Sequence, residues 1–425
     1  MDSKRKTFCP RPWIHQMVRP DGGIKMCCLA KETPEFNAGE GNLKESFNGD
    51  LVRRVRKKML NGEWDESCYP CKNLEDLGIE TARMHDAVEW HDRFNYDTAV
   101  ATTKEDGSVD YGPRYWDLRF GNFCNIKCRM CDPSASHSWY EEWADYRKED
   151  GFHDDGKFIK LVRNDKGRLV TNHYDWPSKQ NFWDQMKGTI DTTEYIFMAG
   201  GEPFLIEEQE QMLKECIEQN RADKITLAYN TNLTTLPDRL VELWKKFKLV
   251  RVGASIDGMG AVLNYQRYPS DWNSILKNLH KLDEICRENS NILGAITATV
   301  TTSNVYQFPE YMWWKVTKSG FTNINNFKEF PVVMHHVAYQ PETANIQIFP
   351  KDIKDKIRNH YNNYIEKFEG NSSAISILNN ILTFMDAKDM SEHMDEFIRY
   401  TKYLDKSRGQ DWTMVVPELA ELMQR

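Results

Sequence analysis

From about residue 115 onward, short apolar runs give way to longer stretches whose apolar residues fall three or four apart, and the exchange repeats. The runs at 115–120, 195–199, 225–229, 249–256 and 295–301 predict strands, with a weaker one at 321–327. Helical periodicity fills the gaps at 136–149, 207–219, 238–247, 274–288 and 309–318, and continues beyond them at 351–367, 373–387 and 390–404. Strands alternating with helices at this spacing predict an α/β fold, a parallel sheet joined by crossover helices. In such sheets ligands lie at the carboxyl ends of the strands. Two stretches break the rhythm. The polar segment 150–190, with a hairpin turn at Asn164-Asp165-Lys166-Gly167, is too long for a simple connection and reads as an insertion over the core. Before residue 75, alternating residues around Pro20-Asp21-Gly22-Gly23 predict a β-hairpin, and 51–60 predicts a basic amphipathic helix.

The length of 425 residues allows two or three domains. Hydrophobic residues at 40% and charged ones at 28% are those of a water-soluble globular chain. A net charge of −8 advertises no phosphate-binding surface, so nucleic acid is not the expected partner. No apolar run is long enough to span a membrane and the N-terminus lacks the pattern of a signal peptide, so a cytoplasmic location is expected.

The 10 cysteines change the picture most. In a reducing compartment they argue for metal binding rather than disulfides. Cys124-Asn-Ile-Lys-Cys128-Arg-Met-Cys131 follows the first strand of the alternating region. Three thiolates in a short loop can hold three corners of a cubane iron–sulfur cluster, leaving the fourth iron open to a substrate or cofactor. A second group lies N-terminal. The hairpin brings Cys9 towards Cys27, and Cys68-Tyr-Pro-Cys71 supplies two more thiolates, a four-thiolate set that suits either zinc or a cluster. Cys28 has no assigned role. Cys216 and Cys286 sit in predicted helices and read as buried packing residues.

The C-x3-C-x2-C loop resembles the signature of the radical S-adenosylmethionine (radical SAM) enzymes. That resemblance implies a 4Fe–4S cluster on Cys124, Cys128 and Cys131, with SAM chelated at the open iron. One-electron cleavage of SAM would then give a 5′-deoxyadenosyl radical that abstracts hydrogen from a substrate. It also implies a partial (β/α)6 TIM-like barrel and an electron donor such as flavodoxin or ferredoxin. The residue before the last cysteine is usually aromatic in the family; here it is Met130. Ala199-Gly200-Gly201-Glu202-Pro203, ending the second strand, resembles the family's GGEP motif, whose Gly200, Gly201 and Glu202 would receive the SAM amino group. Asn230 and Asn232 end the third strand, where their amides would meet ribose or substrate. Ser255 ends the fourth, and Ser255 and Arg267 would hold the SAM carboxylate, a task for which the arginine fork is suited. Asp257 reads equally as a cap. His335 and His336, adjacent on a strand, point to opposite faces, so at most one enters a site.

The N-terminal spacing, C-x12-G-x4-C followed by C-x2-C, resembles the SPASM/twitch module, implying an auxiliary 4Fe–4S cluster on Cys9, Cys27, Cys68 and Cys71. In the family this module follows the core, whereas here it precedes it. The organisation expected is therefore a small hairpin and helix iron–sulfur domain at 1–80, a linker at 81–112, a radical SAM core at 113–335 and a helical C-terminal extension at 336–425 in which no chemistry is visible. Because such modules accompany peptide-modifying enzymes, the expected substrate is a peptide or protein. A carbohydrate or other small molecule, or a non-catalytic zinc- or cluster-stabilised binding protein, stands as the alternative.

Overall fold

The computed structural model describes all residues except 1–2, 31–35, 77–79, 150–160, 172–173, 326–331 and 425. Among them are ten strands: β1 (His15–Val18), β2 (Ile24–Lys25), β3 (Tyr115–Leu118), β4 (Val162–Arg163), β5 (Leu169–Val170), β6 (Tyr195–Met198), β7 (Thr226–Thr231), β8 (Leu249–Ser255), β9 (Ile292–Val300) and β10 (Met334–Val337). The fold is α/β and the strand pairing mostly parallel. The chain divides into two compact units, one of residues 1–122, 171–228 and 246–248, the other of 123–170, 229–245 and 249–425. This division does not coincide with the expected boundaries at 80, 112 and 335.

In the first unit β1 and β2 form the predicted hairpin, Met17 opposite Lys25 and Val18 opposite Ile24. The hairpin is part of a larger sheet. β1 runs parallel to β3, with His15 opposite Tyr115, and β3 runs parallel to β6. Cys9 does not end a strand, because a helical turn, Arg11–Ile14, intervenes with Pro12 in its first positions, where a missing N–H costs nothing. The expected linker contains two helices, Ala82–Glu89 and Tyr96–Thr102. Trp90 and Phe94 between them are fully buried with Phe8, Trp13 and Tyr115 in the core of this unit. Two large aromatics thus anchor this segment in the unit.

In the second unit β8, β9 and β10 are parallel neighbours. The weak strand expected at 321–327 is replaced by β10; residues 321–325 are irregular and 326–327 lie outside the described residues. The helix Trp272–Glu288 starts on Asp271, whose carboxylate accepts from the Ser274 amide at 2.8 Å, and buries Ile275, Leu279, Leu282 and Ile285. It lies close on β9 because Gly294 has no side chain. A Cβ there would meet Ile324 Cδ1 at 2.6 Å and Cys286 Sγ at 3.2 Å. The hairpin in the insertion forms as expected, β4 against β5, with Gly167 in the left-handed conformation its turn requires. The three C-terminal helices are Lys351–Lys367, Ser372–Asp386 and Met394–Arg408.

Candidate cysteine-loop and cysteine-pocket sites

Cys124 and Cys128 are buried, and Cys131 and Met130 pack against them. Much of the loop is held through its backbone. The Cys124 amide donates to His137 Nδ1 at 3.1 Å, and its carbonyl accepts from Ser138 Oγ at 2.7 Å. Ser136 Oγ bonds the Ile126 carbonyl at 2.6 Å, and Trp139 Nε1 bonds the Cys128 carbonyl at 3.2 Å. The amides of Lys127 and Arg129 donate to the carbonyls of Tyr268 and Gln266 at 2.7 and 2.9 Å. The Cys131 thiol bonds Cys128, which lowers the Cys128 pKa with help from Arg267 and against burial, while the same bond and burial raise that of Cys131.

Two side chains aim N–H groups at these sulfurs. Asn232 Nδ2 stands 3.8 Å from Cys124 Sγ, its amide oriented by the Thr234 amide and hydroxyl, which donate to Oδ1 at 2.9 and 2.7 Å. Arg267 Nη1 stands 3.8 Å from Cys128 Sγ. The rest of the Arg267 fork is closed on Asp257, with Nη2 to Oδ1 at 3.0 Å and Nε 2.7 Å from Oδ2. Asp257 is wholly buried and also accepts from the Thr299 amide at 2.8 Å. The Nε and Nη2 side of the arginine expected to grip a ligand's carboxylate thus faces a protein carboxylate.

Ser255 lies opposite Thr297, and His336 lies opposite Thr299 on the same face of the sheet. That face is partly accessible, whereas the opposite one, with Val252, Ala254, Ile296 and Ala298, is buried. Asn230, on β7, is exposed, with its Oδ1 close over Gly253 of β8. His335 points to the buried side, where burial and then the neighbouring His336 lower its pKa to about 4.

The C-terminal helix, in which the sequence displayed no chemistry, clamps the cysteine loop. Arg129 donates to Asp405 at 2.6 Å and Gln410 at 3.1 Å, and its guanidinium lies 3.5 Å from the Tyr265 ring centroid. Glu142 is buried between Arg408 at 2.7 Å, Ser407 at 2.5 Å and Lys127 at 3.2 Å. Cys131 itself packs against Trp139, Tyr400 and Leu404. The hydrogen bonds from Arg129 and Glu142 to the 405–410 region span 265 to 281 residues in sequence, so no local spacing could have signalled them.

In the first unit, Gly200 and Gly201 both adopt positive φ, +80° and +56°. A Cβ on Gly200 would lie 2.7 Å from Arg119 Cβ, so that glycine serves the close approach of two chain segments. Glu202 is buried and its carboxylate accepts from the Phe204 amide at 3.1 Å, capping a short 3-10 turn.

Cys9, Cys27, Cys68 and Cys71 line one pocket in this unit, together with Arg11, Met26, Met59 and Arg83. Asp65 sets the approach to Cys68 by accepting from the Ser67 amide at 3.0 Å and pairing with Arg54 and Lys58. Burial pushes the Cys9 thiol well up and that of Cys27 up to about 11. A metal binding there would displace their protons. Cys28 is exposed, and its sulfur accepts from Arg11 Nη1 at 3.5 Å, while the Arg11 Nε pairs with buried Asp86. Among the described residues no three His, Cys, Asp or Glu side chains form a ligand set for a single metal ion. Cys216 and Cys286 have thiols pushed up to about 12 by burial.

Residues 118–299 match the model of the Radical SAM superfamily, so this stretch is a radical SAM domain. It contains the cysteine loop, the Gly-Gly-Glu-Pro turn, Ser255 and Arg267. No curated protein matches the chain. Among solved structures it is similar to SuiB of Streptococcus suis bound to S-adenosylmethionine, at 13% identity over 75% of this chain and 62% of that one, TM-score 0.35. It is likewise similar to anSMEcpe with bound AdoMet, at 15% identity over 59% of this chain and 60% of that one, TM-score 0.33. The radical S-adenosylmethionine methyltransferase TsrM of Kitasatospora setae matches at 14% identity over 46% of this chain and 34% of that one, TM-score 0.30. The chain thus spans about three-fifths of the length of the first two. Among the described residues no helix is long and apolar enough to cross a membrane.

Proposed function

We propose that this chain is a radical SAM enzyme carrying a second, auxiliary 4Fe–4S cluster, and that it acts on a peptide or protein. The observation that carries the reading is the Cys124, Cys128, Cys131 loop inside a radical SAM domain, backbone-anchored so that its thiols are gathered and shielded. Soft thiolates in a set of three, with N–H donors at two of the sulfurs, fit a cubane with one open iron. When bound and reduced, that cluster with SAM supplies one-electron cleavage to methionine and a 5′-deoxyadenosyl radical that removes hydrogen from substrate.

The chain's own residues would bind, orient and exclude water. Gly200, Gly201 and Glu202 are the residues proposed for the SAM amino group, and Asn230, Ser255 and Arg267 those proposed for the rest of the cofactor. A partial (β/α)6 barrel is the architecture we propose for the core, on the alternation of strands and helices. The auxiliary cluster would lie on Cys9, Cys27, Cys68 and Cys71, a proposal supported by their shared pocket. Electrons would come from a donor such as flavodoxin or ferredoxin. The peptide class follows the auxiliary module that the N-terminal spacing resembles.

Anaerobic reconstitution followed by iron and sulfide analysis tests the cofactor content. The wild type should hold about eight irons, and Ala at either cysteine set should remove about four. A colourless protein that retains zinc instead would contradict the reading.

A further inference from the structure

We propose that Asn232 and Arg267 are positioning residues that set the reduction potential of the cluster on Cys124, Cys128 and Cys131, by donating N–H groups to two of its three thiolates. The inference rests on the cluster reading above and goes beyond it, because it assigns to these two side chains a task other than contact with SAM or substrate.

Each donor is aimed by a dedicated partner. An amide can face a sulfur with either end, and only its NH2 end donates. For Asn232 the choice is made by Thr234, whose backbone and hydroxyl donors both occupy Oδ1, turning Nδ2 towards Cys124 Sγ at 3.8 Å. The second proton on that nitrogen is taken by Asn125 Oδ1 at 3.0 Å, and Asn125 Nδ2 in turn donates to Thr234 Oγ1 at 2.9 Å. Asn232, at 6% exposure, is held in one orientation by a closed ring of hydrogen bonds.

Arg267 is fixed by a different route. Asp257, fully buried, is itself anchored by the Thr299 amide and engages the Nε and Nη2 side of the guanidinium. That leaves Nη1 directed at Cys128 Sγ. A guanidinium used only to neutralise Asp257 would not need its third edge turned onto a sulfur ligand. Conversely, a buried cation facing a thiolate needs a carboxylate behind it to offset its own desolvation.

Hydrogen bonds to the sulfurs are among the main determinants of an iron–sulfur potential. Adding an electron concentrates negative charge on the thiolates, so a donor or cation there stabilises the reduced state more than the oxidised one. Arg267 brings a charge offset from behind by Asp257 and Asn232 brings a dipole, so their effects should have the same sign. The two residues would make the cluster easier to reduce by a cellular donor.

The experiment is an anaerobic potentiometric titration of the holoprotein without SAM, followed on the electron paramagnetic resonance signal that disappears in the Cys124/Cys128/Cys131→Ala variant. Iron content is measured on every sample. Asn232→Leu, which keeps size and removes the donor, should shift the midpoint to a more negative value. The Asp257→Asn/Arg267→Met pair, which removes the Nη1 donor and both buried charges together, should also shift it to a more negative value. Arg267→Lys should recover part of the second shift. Midpoints unchanged from wild type in Asn232→Leu and in the double variant, at full iron content, would overturn the proposal and leave the cluster reading intact. A wild type with no signal assignable to the loop would overturn both. If the double variant loses its cluster, Asn232→Leu alone decides, by a shift or by none.

Discussion

At the scale of single residues, the structure gives several side chains a purpose the motifs did not suggest. Gly200 was legible as part of a ligand-binding turn, yet its positive φ and the 2.7 Å that an added Cβ would leave to Arg119 Cβ make it a packing requirement first. Gly200→Ala should therefore destabilise the fold by about 2–5 kcal/mol, combining the left-handed cost with the overlap; chemical denaturation of the apo protein measures this. Asn232 was visible as a polar residue at a strand end and Arg267 as an arginine beyond the fourth strand, but their orientation depends on Thr234 and Asp257 and cannot be read from spacing. For the histidine pair, strand alternation was enough to separate the two faces. His335 has a folded pKa of about 4 against an ordinary value near 6.5, so between those limits the unfolded chain binds more protons than the folded one. Stability should fall as pH drops from about 6.5 towards 4. Melting curves across that range should show the fall, and His335→Leu should flatten it.

At the scale of elements, periodicity located most helices and strands of 195–300 and 351–408 to within a few residues, because each has one face to bury. It failed where long-range partners decide. The segment 81–112 carries little periodic signal, yet Trp90 and Phe94 tie it into the core of the first unit. The helix Met394–Arg408 was found, but its bearing on the cysteine loop was not, since Asp405 and Arg408 meet Arg129 and Glu142 only in the folded chain. Arg408 is 0% exposed and Glu142 3%, so Arg408→Met leaves a buried carboxylate with only Lys127 and Ser407 to offset it. Removing one member of such a pair costs about 3–5 kcal/mol. The variant should melt earlier and lose iron from the 124–131 loop to a chelator faster than wild type, while the iron of the N-terminal pocket leaves at the wild-type rate. Equal release from both sites would show that the helix does not brace the loop.

At the scale of the whole molecule, eight of the ten cysteines fall in two groups and imply two centres, and the strand and helix alternation implies the fold class. The division into units was not legible, because β1 joins β3 across nearly 100 residues and extends the hairpin into a larger sheet. The radical SAM domain at 118–299 accounts for one cysteine group, and the shared pocket of Cys9, Cys27, Cys68 and Cys71 supports the proposal for the other. Whether the molecule performs SAM chemistry is decided most directly by incubating the anaerobically reconstituted chain with SAM and dithionite and measuring 5′-deoxyadenosine by mass. The account predicts 5′-deoxyadenosine from the wild type and none from the Cys124/Cys128/Cys131→Ala variant. Absence of product from a wild type with full iron occupancy, tested with and without peptide substrates, would contradict it.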